Sequence, residues 1–183
     1  MLYFITSNRN KFSEAQSVIP ELSQLEINLP EIQEMDPQII VKAKLEEARK
    51  HHKGELIVED TSLFCEGLKG LPGPLAKWFQ RTIGYGELAK MVQATDNHMA
   101  QAKTVIGYCD EAGAIQFFEG VIMGTITEPR GTTTFGWDPI FKPAGSEKSF
   151  AEMSAEEKNA VSMRKEAFTN LKNYLQKNKA HAA

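Results

Sequence analysis

The sequence predicts an α/β (α+β) protein built on a mixed β-sheet flanked by helices. Three patterns carry that reading. Helical periodicities alternate with short β-rich runs through the first half, a β-meander pattern fills the middle, and helical patterns return at the end. A length of 183 residues suits one domain, residues 1–183, large enough to bury a core.

Each element has a local reason. Residues 2–6 form an apolar run that reads as a strand, and a helix follows with Phe12, Ala15, Val18 and Ile19 on one face. Residues 26–29 predict a second strand ending at Pro30 and Glu31. A charged helix is expected over 37–51, with Ile40, Ala43, Leu45 and Ala48 as apolar positions. Leu56, Ile57 and Val58 read as a buried strand. Residues 67–74 are too rich in Gly and Pro for regular structure, and short helices are expected over 75–82 and 86–93. The meander is expected over 102–109, 115–121 and 124–127, with a turn at 110–113. Ser154 and Glu157 have the spacing of a capping box and should start a helix. A last helix begins near Ser162 with Ala167, Phe168, Leu171, Tyr174 and Leu175 as its stripe, and the polar tail from Lys177 should fray.

Composition excludes several classes. A formal net charge of −3 gives no general basic surface, so no nucleic-acid partner is expected, although a few converging Lys and Arg side chains could hold a small anion. Cys65 and Cys109 are two cysteines without metal-ligand spacing, and they suit small apolar fillers in a reducing compartment. The apolar start lacks a basic n-region, and no stretch approaches the ~20 apolar residues of a membrane span. A cytoplasmic protein with no membrane partner is expected.

Four groups of residues carry chemistry. The first is the pair Glu59 and Asp60, where the run of Leu56 to Val58 stops at two adjacent carboxylates, joined by Glu31 at the end of the preceding strand. Neighbours on a strand point to opposite sides, so one carboxylate can meet a ligand while the protein holds the other. Mg²⁺ takes one or two carboxylates together with phosphate oxygens and water. The second group is Thr6, Ser7, Asn8 and Lys11, where a strand turns into a helix whose first N–H groups and positive dipole end favour anions. Ser7 or Asn8 also reads as a simple N-cap. In the third, Phe135-Gly136-Trp137-Asp138-Pro139, aromatic faces on either side of a glycine can sandwich a planar base, or can serve as core residues beside a turn. The fourth, Lys158, Ser162 and Arg164, places donors about the start of the last helix, where they could read a base edge or form a solvated junction.

Taken in order, Ser7-Asn8 with Lys11, Glu59-Asp60-Thr61-Ser62, Leu71-Pro72-Gly73-Pro74, Phe135-Gly136-Trp137-Asp138-Pro139, Phe150-Ala151-Glu152-Met153, and Glu157-Lys158-Asn159 with Ser162 and Arg164 resemble the inosine triphosphate pyrophosphatase family from Phe4 to about Tyr174. The resemblance implies an elongated mixed sheet in two lobes with a nucleotide cleft between them. It also implies a homodimer and Mg²⁺-dependent cleavage of ITP, dITP and XTP to the monophosphate and pyrophosphate. By similarity Thr6, Ser7, Asn8, Arg9, Asn10 and Lys11 cradle the phosphates, and Lys44 reaches the same group, with Lys42 as its rival. Glu31 and Asp60 correspond to metal ligands, with Glu59 in support. Asp60 also corresponds to the base or positioner for the attacking water, and Thr61 lies against the substrate. Phe135, Gly136, Trp137 and Asp138 correspond to the base pocket together with Lys158, Ser162, Met163 and Arg164. Met163 departs from the family's usual His, and a thioether cannot donate a hydrogen bond.

The implied selectivity has a physical rationale. A 6-keto purine presents acceptors at O6 and N7 to Lys and Arg donors, whereas adenine places an amino donor there. Two rival readings are a Maf-type pyrophosphatase acting on other nucleotides and a nucleotide-binding module without turnover.

Overall fold

The structure is a computed structural model and describes residues 1–132 and 136–181, with side chains described through 178. Leu2–Ile5 forms β1, Ser23–Leu25 β2, Glu55–Cys65 β3, Pro72–Gly73 β4, Met99–Cys109 β5, Ile115–Ile126 β6 and Phe141–Pro143 β7. The helices are α1 (Arg9–Val18), α2 (Pro37–His51), α3 (Ala76–Thr82), α4 (Gly84–Gln93), α5 (Ala155–Ala160) and α6 (Met163–His181). One sheet joins the strands in the order β2-β1-β3-β5-β6-β7, with β4 paired to β3. The sheet is mixed as expected. β1 runs parallel to β2 and β3, whereas β4 is antiparallel to β3 and β7 to β6.

The chain divides into two compact units. The first comprises Met1–Asp60, Thr104–Gly120 and Met163–Ala183, and the second Thr61–Lys103 and Val121–Ser162. In the first unit, strand pleating sorts the core into two layers. Leu2, Phe4, Ile57, Ile106 and Tyr108 pack with Ala15, Val18 and Ile19 of α1 and Ala167, Phe168 and Leu171 of α6. Ile5, Leu56, Val58, Val105 and Cys109 pack with Val41, Leu45 and Ala48 of α2. Asp36 caps α2 by accepting from the Gln38 N–H at 2.8 Å, Pro37 takes the first helical position, and Arg49, Lys50 and His51 meet the negative end of the dipole. In the second unit, α4 buries Leu88, Ala89 and Val92. Ser154 and Glu157 form the expected capping box of α5.

Four strand expectations are corrected. The Gly- and Pro-rich segment 67–74, expected to lack regular structure, contains β4, whose Pro72 and Gly73 pair with Phe64 and Leu63. The second strand is Ser23–Leu25 rather than 26–29; Tyr3, Phe4 and Ile5 pair with Ser23, Gln24 and Leu25, and Ile27 and Leu29 instead lie against the α2-side core. β3 continues through Glu59 and Asp60 to Cys65, because partners on both faces of the sheet compensate the two carboxylates. The expected break between 121 and 124 is absent, and β6 is continuous. Gly124 is there for close packing: a Cβ would lie 2.4 Å from the Lys142 carbonyl oxygen and 2.6 Å from Phe141 Cζ. At the C-terminus, α6 carries past Lys177 to His181.

Gly120 of β6 lies under α6, where a Cβ would fall 1.9 Å from the Met163 carbonyl oxygen and 2.8 Å from the Ala167 amide nitrogen. Both neighbours are backbone and cannot rotate away. Gly120→Ala is expected to cost about 2 kcal/mol or more, read in a thermal melt as a drop of roughly 4–8 °C.

Candidate active site

Glu59 and Asp60 extend the alternation of β3 from apolar to charged residues. Ile57 belongs to the α1/α6 layer, so Glu59 points there; Leu56 and Val58 belong to the α2 layer, and Asp60 points that way. Each carboxylate meets basic side chains of the helices covering its face. Glu59 meets Lys11 of α1 and Arg164 of α6, and Asp60 meets Lys44 of α2.

The Glu59 side is a buried charge network. Lys11 Nζ lies 2.7 Å from Glu59 Oε1. Arg164 grips Glu59 in a fork, with Nε 2.9 Å from Oε2 and Nη2 3.3 Å from Oε1, and its Nη1 donates to Glu14 Oε2 at 2.8 Å. Arg164 and Glu59 are 3% and 6% exposed, so their mutual attraction is little screened. Burial opposes ionisation of Glu59, but the charges of Arg164 and Lys11 outweigh it and hold the carboxyl down at about 2. Burial likewise opposes the charge on Arg164, and Glu59 and Glu14 overcome it, raising its affinity for the proton. Glu14, one helical turn beyond Lys11, is a member of this network that its sequence context does not single out; the (i, i+3) spacing from Lys11 is the one signal of a shared helix face.

On the other face, Lys44 Nζ lies 2.6 Å from Glu31 Oε1, 3.7 Å from Asp60 Oδ1 and 3.4 Å from the Glu59 carbonyl oxygen. Glu31 and Asp60, 29 positions apart in sequence, thus converge on one ammonium group. Lys42 sits on the exposed side of α2, 3.9 Å from Glu46. Two carboxylates drawn to one cation are a donor set that fits Mg²⁺, whose remaining positions phosphate oxygens and water would fill. Among the described residues no group of three or more His, Cys, Asp or Glu is placed to bind a metal by itself. Glu59 is already engaged by two cations.

The turn into α1 is organised by its own side chains. Thr6 Oγ1 accepts from the Asn8 N–H at 3.1 Å, and Asn8 Oδ1 accepts from the N–H groups of Asn10 and Lys11 at 3.0 and 3.2 Å. Asn8 is therefore the N-cap. Ser7, Arg9 and Asn10 are exposed around it.

The second unit holds most of the base-pocket candidates. Phe135 lies outside the described residues. Gly136 has φ +56°, a left-handed backbone that favours glycine. Trp137 is buried, edge-to-face with Tyr85 at 6.3 Å. Asp138 is buried and accepts from Lys158 Nζ at 2.5 Å, and that ammonium lies 5.4 Å from the Phe150 ring centre. Burial and the Asp138 charge push the Tyr85 hydroxyl up to about 12. Ser162 is buried and Thr61 half-buried in this unit. Met163 and Arg164 belong to the first unit, where Met163 is buried and Arg164 joins the Glu59 network.

Known proteins resemble this chain over nearly its full length. Residues 2–174 match the Ham1 family. An inosine triphosphate pyrophosphatase of Saccharomyces cerevisiae is 38% identical, with 97% of this chain and 96% of that protein covered. A dITP/XTP pyrophosphatase of Thermococcus kodakarensis is also 38% identical, covering 97% of this chain and 98% of its own. Among solved structures, a HAM1 protein of Coxiella burnetii superposes with a TM-score of 0.78 at 26% identity, covering 97% of this chain and 100% of that one. The Staphylococcus aureus Ham1 protein shares the fold with a TM-score of 0.84 at 22% identity and the same coverage.

A carboxyl held at about 2 against an ordinary 4.5 contributes on the order of 3 kcal/mol to stability. The folded-state value is depressed, so this stability is present above pH 4.5 and disappears as pH falls from there through about 2. Glu59→Gln should therefore be markedly less stable than the unsubstituted protein near neutral pH. Urea unfolding at a series of pH values should show the two converging as pH approaches about 2.

Proposed function

The chain belongs to the Ham1 family, and from that premise we propose that it is a nucleoside-triphosphate pyrophosphohydrolase acting on ITP, dITP and XTP. Water adds across the anhydride between the α- and β-phosphates, giving the nucleoside monophosphate and pyrophosphate. Such a reaction would clear these nucleotides from the pool. The names of the yeast and archaeal relatives support the chemistry. The structural observation that carries it is the convergence of Asp60 and Glu31 on Lys44, with Lys11 on the opposite face of the same strand.

Phosphoryl chemistry needs charge neutralisation and positioning more than covalent assistance, and these residues suit that task. Lys11 and Lys44 are cations for the phosphate oxygens. Asp60 orients the attacking water and accepts its proton. The turn from Thr6 through Lys11 supplies hydroxyl, amide and cationic groups for the same chain of phosphates. Asp60 and Glu31 would hold Mg²⁺, which supplies neutralisation of charge on the phosphates when bound. Lys158, set against Asp138, is assigned to the 6-keto edge of the purine; an adenine amino group there would set one donor against another, where a 6-keto oxygen accepts. A homodimer in the cytoplasm completes the reading; among the described residues no helix is long and apolar enough to cross a membrane.

Product analysis on ITP and XTP with Mg²⁺ should yield pyrophosphate, with ATP turned over far less. Orthophosphate as the first product would overturn the reaction, and equal or faster turnover of dTTP or UTP would favour a Maf-type specificity. Asp60→Asn should lower kcat by about 10²–10⁴-fold, the usual contribution of a general base, while nucleotide binding measured by calorimetry persists. Near-normal turnover by this variant would remove Asp60 from its role.

A further inference from the structure

The segment Phe150-Ala151-Glu152-Met153 has no task in the chemistry above, yet one of its side chains meets a residue assigned to the substrate. Phe150 is 2% exposed, and the Lys158 ammonium lies over its ring, 5.4 Å from the centre and within the reach of a cation–π contact. The ring is held in place. Across the turn that carries it, the Ser149 N–H donates to Glu152 Oε2 at 2.8 Å. Phe141 packs against it, with 5.1 Å between ring centres and 45° between planes, and Phe141 itself sits where a Cβ on Gly124 would intrude. Lys158 comes from α5, whose start is fixed by the Ser154–Glu157 capping box.

A lysine is poorly suited to hold a donor at one point, because its four-carbon stem is flexible and must give up rotamer freedom. Asp138 draws the ammonium to 2.5 Å, but a single carboxylate leaves the stem able to swing about it. The face of Phe150 supplies a second point. Its negative quadrupole attracts the ammonium as a charge and takes up no N–H in a directed bond. The Lys158 side chain is 19% exposed, so water screens this attraction only in part. We propose that Phe150 is a positioning residue for Lys158: its ring face and Asp138 together set where the ammonium meets the 6-keto edge of the purine. The proposal rests on the assignment of Lys158 to that edge and deepens it. In a role of packing alone, the same ring would affect stability, and any loss of binding would fall equally on ligands with and without a 6-keto group.

The electron density of the ring separates the two roles. Calorimetry would measure affinity for IMP, for AMP and for inorganic pyrophosphate, which has no base, with thermal melts to confirm folding. Phenylalanines carrying one, two and three ring fluorines, incorporated at position 150, weaken the quadrupole in steps while nearly keeping the shape of the ring. IMP affinity should fall stepwise along this series, reaching about three- to tenfold, the scale of a partly screened cation–π contact. AMP and pyrophosphate should stay within about twofold, because neither calls on this contact. Phe150→Leu removes the ring face and should lower the IMP-to-AMP affinity ratio by about the same three- to tenfold. In a Lys158→Met background, where no ammonium remains, Phe150→Leu should change IMP affinity by less than about twofold, since coupled residues are not additive. Should Phe150→Leu fail to fold, the fluorinated series, which keeps the volume of the ring, carries the comparison. A flat IMP affinity across that series, equal losses of IMP, AMP and pyrophosphate, or a full effect of Phe150→Leu without the Lys158 ammonium would each overturn the proposal. An unsubstituted protein that binds IMP no better than AMP, or a folded Lys158→Met that keeps the full preference, would instead strike the assignment of Lys158, so the two failures read differently.

Discussion

Two unlike charges separated by 105 positions in sequence, Glu59 and Arg164, meet in the interior of the first unit, and the local architecture is organised around them. A carboxylate in the middle of a β-strand and an arginine in the first turn of a helix would each be costly to bury alone. Together, with Lys11 and Glu14, they allow β3 to run on past its apolar segment as a regular strand. They also fix α1 and α6 against the sheet by charge in addition to the apolar contacts of Ala15, Val18, Phe168 and Leu171. Breaking such a network by removing one partner costs far more than its net contribution, because the others are left buried without compensation.

The pleat then divides labour between neighbouring residues. Glu59 belongs to the architecture, and Asp60, one position on, meets Glu31 and Lys44 on the other face of the sheet. Because the strand period is two, a slip of one residue would exchange the two environments, placing Glu59 where chemistry is proposed and the proposed base in the salt-bridge network. The apolar residues Leu56, Ile57 and Val58 prevent that slip, since it would also transfer every core side chain to the wrong layer. The register of the proposed site is in this sense maintained by the hydrophobic core.

Much of this was legible from local sequence. Asp36-Pro37 and the basic end of α2, the Ser154–Glu157 capping box, the stripe of α6 and the alternate directions of Glu59 and Asp60 follow from patterns within a few residues. Other features depend on partners distant in sequence. The extension of β3 to Cys65 requires Arg164 and Lys44, and the unbroken β6 requires the close approach of Phe141 and Lys142 to Gly124. The position of β2 follows from its pairing with Tyr3 to Ile5 rather than from its own weak β-propensity. Glu14 illustrates the same limit, because an acidic residue on a surface-facing helix pattern does not announce a buried arginine 150 positions away.

The sheet closes on either side with a strand of three residues, Ser23–Leu25 at one margin and Phe141–Pro143 at the other. At these two margins the bordering strands are short, and Pro143 has no N–H to offer. A neighbouring molecule seeking to add its own strand to β2 or β7 would find three residues there. The small size of these two borders comes from topology and is independent of the nucleotide chemistry.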